Sequence, residues 1–163
     1  MRSLCVLTVA VFVTIASLFI GYAATDDAET RLLADQILGE WVYEDIKSHP
    51  GHKEAYAITR KVFLFQPDGS AYLVESRKGR YNLPLIEDWE FRTWGTYDTR
   101  GDTIMFAVNR LAAVRQNFWT LDRAKGRWVE QSQAPFDTLI TDGSQDRFIT
   151  FSDLIRDFRK VEG

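Results

Sequence analysis

Pro67-Asp68-Gly69-Ser70 stands between two alternating runs, Tyr56 to Gln66 and Ala71 to Glu75, and commits the chain to folding through tight antiparallel turns. Asp-Gly supplies the positive-φ positions that a hairpin needs to follow the right-handed twist of its strands. The same pattern recurs. Thr99-Arg100-Gly101-Asp102 divides Glu87–Asp98 from a return strand at Thr103–Val108. Ala113–Leu121, Arg127–Gln133, Thr138–Thr141 and Arg147–Phe151 are further strand candidates, parted by Asp122–Gly126, Ala134-Pro135 and Asp142-Gly143-Ser144. Upstream, Trp41, Tyr43 and Asp45 alternate with Glu40, Val42 and Glu44 as a first strand, which a turn at Ser48–His52 ends. Lys78–Pro84 reads as a loop over the barrel mouth, and Asp153–Lys160 as a helical turn followed by a closing strand at Phe158–Val161. About eight to ten short antiparallel strands at hairpin spacing predict an all-β fold, a single small up-and-down barrel.

The domain limits follow from the ends of this pattern. Residues 1–23 have the form of a signal peptide: Arg2, an apolar run from Leu4 to Ile20, then Gly21-Tyr22-Ala23 with small residues at the cleavage-defining positions. The run is long enough that an uncleaved membrane anchor is the competing reading. Residues 24–38 carry Leu32, Leu33 and Ile37 on one side and read as a lead-in helix or arm, closed by Gly39. Residues 39–163 form the barrel domain. Export implies a secreted or periplasmic location, or a membrane-anchored one facing outside the cytoplasm.

The single cysteine, Cys5, lies within the leader, so the remaining chain has no disulfide and depends on its core. Aromatic residues make up 13% and hydrophobic residues 45% of the chain, enough core material to exclude disorder. Twenty basic residues against 23 acidic ones give a net charge of −3 with no basic stripe, which argues against a nucleic-acid partner. Membrane contact is expected only if the leader is retained.

Gly39-x-Trp41 on the first strand is followed by Phe65-Gln66-Pro67-Asp68-Gly69-Ser70-Ala71-Tyr72. Then comes Trp94-Gly95-Thr96-Tyr97 before Gly101-Asp102-Thr103-Ile104. This ordered set resembles the layout of lipocalin-like domains of the calycin superfamily, across most of the chain beyond the leader. The middle Thr-Asp-Tyr motif of lipocalins is not intact, Thr96-Tyr97-Asp98 having the order changed. The resemblance implies that Trp41, set by Gly39, plugs the closed end of a barrel. It also implies that an arginine from near the chain end, Arg159 or Arg156, lies across its indole.

Three classes of function are open on these residues. The first is a non-enzymatic carrier of a small apolar or amphipathic ligand, with Tyr72, Trp89, Phe91, Tyr97 and Phe106 as cavity lining and Arg92 or Arg110 as a polar anchor near a rim. Strand register decides this set, because a one-residue slip exchanges the two faces. The second is a protein-interaction barrel, an envelope assembly factor or inhibitor-like protein, whose segment from Thr25 to Leu38 docks into an envelope or secreted partner. The third is a barrel-mouth isomerase or lyase, with His49 or a buried glutamate as base. No GxSxG elbow, dinucleotide fingerprint or phosphate loop is present, and no cofactor is expected. His49 and His52, spaced H-x-x-H around Pro50-Gly51, are weak metal-ligand candidates, since that turn lacks the helical geometry that usually orients such a pair.

Overall fold

The structure, a computed structural model, describes residues 33, 35–48, 55–80 and 85–162. The leader, most of the lead-in segment, His49, His52 and the turn around them lie outside the described residues. None of the described helices is long and apolar enough to cross a membrane.

The described residues form an antiparallel sheet of nine strands. These are β1 Gly39–Ser48, β2 Tyr56–Phe65, β3 Ser70–Arg80, β4 Leu85–Arg100, β5 Thr103–Asp122, β6 Arg127–Glu130, β7 Phe136–Leu139, β8 Arg147–Thr150 and β9 Arg159–Lys160. A short helix, α1, spans Phe151–Asp157. Strands β1 to β5 are each paired to the next, and the β2–β3 turn falls at the Asp68-Gly69 step, with Gly69 at φ +82°. Strand β3 runs through to Arg80, so the first part of the expected mouth loop is paired strand, hydrogen-bonded to β2 and β4.

The 20-residue β5 is the largest departure from the expected order. It joins two predicted strands across Asn109–Ala112, and its far edge carries β8, β7 and β6 in turn along its length. The topology beyond β5 is therefore not a simple up-and-down order. Two bulges hide the continuity in the sequence. Trp94 pairs with Arg110 but Gly95 with Val108, and Glu90 pairs with Arg115 but Phe91 with Ala113. Asn109 and Val114 are the extra residues, and each reverses the inward–outward alternation that follows it. Ile104, Phe106 and Val108 point inward, then Leu111 and Ala113, then Gln116.

The inner face curls around one core. Trp41, Phe63, Phe65, Leu73, Ile104, Phe106 and Val108 meet Leu33 and Ile37 of the lead-in helix and Leu154 of α1. Phe63 stacks on Phe65 at 5.5 Å and meets Phe106 edge-on at 6.2 Å, while Tyr97 is edge-on to Phe65 at 5.1 Å. Each fully buried Leu, Ile or Phe contributes roughly 1.5–3 kcal/mol here. Thr150 caps α1, its Oγ1 accepting from the Asp153 N–H at 3.0 Å, and the helix ends where Phe158 turns extended. β9 then pairs with β1 at Trp41–Lys160 and Val42–Arg159. Hydrogen bonding does not close the sheet among the described residues: α1 stands between β8 and β9.

Gly95 shows how tightly this bend is packed. A Cβ there would lie 2.0 Å from the Ala107 carbonyl oxygen and 2.9 Å from the Phe106 ring, beside the first bulge. Gly95→Ala must push β5 off β4 and is expected to cost at least about 1–3 kcal/mol, read from the urea-unfolding midpoint; an unchanged midpoint would show the bend to be looser than this.

Candidate functional site

Beyond the core, the same inner face turns polar. Three rows of neighbours cross β1, β2 and β3: Tyr43–Lys61–Glu75, Asp45–Thr59–Arg77 and Lys47–Ala57–Gly79. On β4 the rows continue to Phe91, Trp89 and Glu87. Ala57 facing Gly79 leaves the third row without bulk, and a cleft of about 410 Å³ opens there, lined by residues of all three rows with Asp157 and Phe158. Phe158 forms its boundary with the core, 5.7 Å from the Tyr43 ring and 5.6 Å from Phe63.

Charges placed on an inner face require partners, because an unpaired buried charge costs several kcal/mol. Glu75 takes Lys61 at 3.2 Å and also the Arg147 guanidinium, which reaches it from β8. Arg77 pairs with Glu87 at 2.8 Å. In both groups the acid is the covered member: Glu75 and Glu87 side chains are 16% and 11% exposed, against 41% for Lys61 and 39% for Arg77. The cations therefore form the wet surface and the carboxylates hold them from behind. At the rim, Asp45 pairs with Lys47 at 3.2 Å. Asp157 accepts from Arg156 at 2.8 and 2.9 Å, bonds that hold its carboxyl below the usual aspartate range.

The expected cavity residues divide between two faces. Phe106 and Tyr97 are on the inner face in the packed core, Phe106 1% exposed and Tyr97 donating its hydroxyl to the Gln66 carbonyl at 3.0 Å. Trp89 and Phe91 share that face at its polar end, 5.4 Å apart. Tyr72, Arg92 and Arg110 are on the outer face. Tyr72 meets Trp94 at 5.2 Å, Arg110 lies over Trp94 at 4.5 Å and is held by Asp137, and Arg92 pairs with Glu90 at 2.8 Å. The seven side chains do not surround one space, because Tyr72 alternates with the inward Ala71 and Leu73.

The residues that do meet at the cleft, Tyr43, Thr59, Lys61 and Arg77, escaped the sequence reading. Their signal was parity: Thr59 and Lys61 share the alternation of Phe63 and Phe65, as Glu75 and Arg77 share that of Ala71 and Leu73.

At the opposite end, Trp41 is 5% exposed, and the cation over its ring is Lys160, at 5.4 Å. Arg156 instead bonds Asp153 and Asp157, and Arg159 is the register partner of Val42, the neighbour of Trp41 that alternates to the outer face. Gly39 has φ +107°, a backbone angle that favours glycine, where helix gives way to strand. Among the described residues no cluster of His, Cys, Asp or Glu is arranged to hold a metal ion.

Comparison with protein-family models, curated proteins and solved structures gives no match.

The Arg156–Asp157 pair beside the cleft has a definite pH signature. With its folded pKa depressed, Asp157 contributes stability that is present above the unfolded value of about 3.9 and is lost as pH falls through the folded value. A carboxyl-carbon NMR titration should place the Asp157 midpoint below that of a free aspartate. Arg156→Gln should raise it; coincident midpoints in the two proteins would contradict the pairing.

Proposed function

We propose that this chain is an exported, non-enzymatic carrier that holds a small amphipathic molecule at the open end of a lipocalin-like barrel. The barrel reading rests on three contacts: β9 on β1, β8 on β5, and the Arg147–Glu75 pair from β8 to β3 across the inner face. In this reading β8, α1 and β9 together complete the wall that hydrogen bonds leave open. The observation that carries the function is the division of the interior. The Trp41 end is filled by aromatic side chains, whereas the other end keeps a cleft of about 410 Å³, within the usual range of ligand sites of roughly 300–1,000 Å³. Its lining mixes hydroxyls and charges with the rings of Tyr43 and Phe158, which favours an amphipathic ligand over a wholly apolar one.

The second reading, a protein-interaction barrel, draws support from large apolar side chains on the short edge strands. Leu139 of β7 and Phe148 of β8 are 75% and 69% exposed. Of the lead-in segment, Leu33 and Ile37 are buried in the chain's own core, whereas Asp35 and Gln36 are exposed.

Titration of the full chain with a fluorescent fatty-acid analogue separates the two. The carrier reading predicts saturable one-to-one binding that Thr59→Trp, which fills the cleft, reduces by at least about tenfold (some 1.4 kcal/mol). Absence of saturable binding, or identical binding by the filled variant, would reject it.

A further inference from the structure

We propose that the edge of β1 beyond β9 takes an extended peptide segment of a partner protein, which adds to the sheet as a further strand. The proposal does not depend on the carrier reading.

β9 pairs with β1 only at Trp41–Lys160 and Val42–Arg159, because the residues before β9 belong to α1 and its end. Among the described residues, nothing pairs with Tyr43–Ser48 on the side away from β2. At about 3.4 Å per residue this stretch is roughly 20 Å long, the length of an ordinary strand. The Val161 N–H donates to the Glu40 carbonyl at 2.8 Å, which sets the hydrogen-bonding parity of this side. The N–H and C=O groups of Glu44, Ile46 and Ser48 therefore point to the open edge, and those of Tyr43, Asp45 and Lys47 to β2. Folded chains commonly blunt such an edge with a bulge, a proline or free charges. Here the register with β2 runs unbroken from Gly39–Phe65 to Ser48–Tyr56, Lys47 is held by Asp45, and Ile46 is 64% exposed.

Both faces of this edge are hollow. On the inner side lies the cleft described above, which Tyr43, Asp45 and Lys47 line. On the outer side a second cleft, of about 670 Å³, is lined by Val42, Glu44 and Arg60. Asp157 and Phe158 bound both, so the two clefts flank the line that β9 would follow if it were longer. A strand docked on that line sends alternate side chains into one cleft and then the other. Main-chain bonds then give affinity and the two clefts give specificity. Backbone donors and acceptors recurring every second residue, about 7 Å apart, are matched by another extended backbone and not by a lipid or a free ion. The outer cleft sets Glu40 and Glu44 against Arg60 and Arg159, so it favours neither sign of charge alone.

The test titrates the full-length protein with fluorescein-labelled hexapeptides in which Val or Thr alternates with Lys or Glu, followed by anisotropy. Each peptide is also made in two N-methylated forms, with the methyl groups on one backbone edge or on the other. Saturable binding is expected, with one methylated form at least about tenfold weaker and the other equal to the parent. The Glu44 and Ile46 amides should become protected from hydrogen exchange when the peptide binds. Ile46→Pro removes an edge donor but no bond to β2, and should weaken binding to a similar degree. Equal binding by both methylated forms, or binding by none of the peptides, overturns the proposal and leaves the carrier reading intact. Protection of the Glu44 and Ile46 amides already in the free protein also overturns it: in a dimer the edge belongs to a second copy, in a monomer to the chain itself.

Discussion

Trp41 gathers the lead-in helix, the first strand and the last described strand onto one point. The lead-in helix ends at Ile37, and the carbonyls of a last helical turn need donors from outside the helix. The Trp41 indole N–H donates to the Ile37 carbonyl at 2.7 Å, and the Lys160 ammonium donates to the Gln36 carbonyl at 2.7 Å. Lys160 also lies over the indole ring and is the β9 residue in register with Trp41. A cation at a helix C-terminus and over an aromatic face is favourable on both counts, each about 0.5–1 kcal/mol. The first strand, the last strand and the helix that covers the core are therefore tied by one residue and its partner. With this end filled, the inner face keeps an open cleft at its polar end among the described residues.

The two halves of the inner face follow different rules. Around Phe63, Phe65 and Phe106 the strands are held by apolar burial, which tolerates no polar atom without a partner. Thr93 is the exception: its hydroxyl is buried with no hydrogen-bond partner among the described residues. It sits at the level of Trp41, Phe63 and Leu73, one row before the charges begin. Past that row, Lys61, Glu75, Arg77 and Glu87 replace apolar packing with ion pairs that brace the strands and leave space between them. Pairing charges across an interior adds little net stability compared with a packed apolar core. Stability alone therefore does not account for their presence on the inner face.

How much of this the sequence disclosed depended on where alternation was unbroken. From Trp41 through Tyr97 the period of two marks strands β1, β2 and β4 and the inward residues of β4, although β3 runs on to Arg80 through residues that read as loop. The turns at Asp68-Gly69 and Gly101-Asp102 were equally clear, since few residues other than glycine accept those backbone angles. In β5, Asn109 and Val114 each reset the phase, so one 20-residue strand reads as two. The lining set failed to converge for a related reason: aromatic identity was weighed above parity, which joined Tyr72 of one face with Phe91 of the other. Charged residues at inward parity were the better guide to the cleft. That Lys160 rather than a nearby arginine covers Trp41 is a matter of β9 register, and two residues of pairing leave no pattern to read.

Hydrogen exchange at the Trp41 indole, followed by NMR, tests the sealed end most directly. If Trp41 locks helix, first strand and last strand into one unit, its indole proton should exchange only by global unfolding, with the same opening free energy as the Phe63 and Leu73 amides. Exchange within about tenfold of a free indole while those amides stay protected would show that the end opens by itself, and would contradict the account.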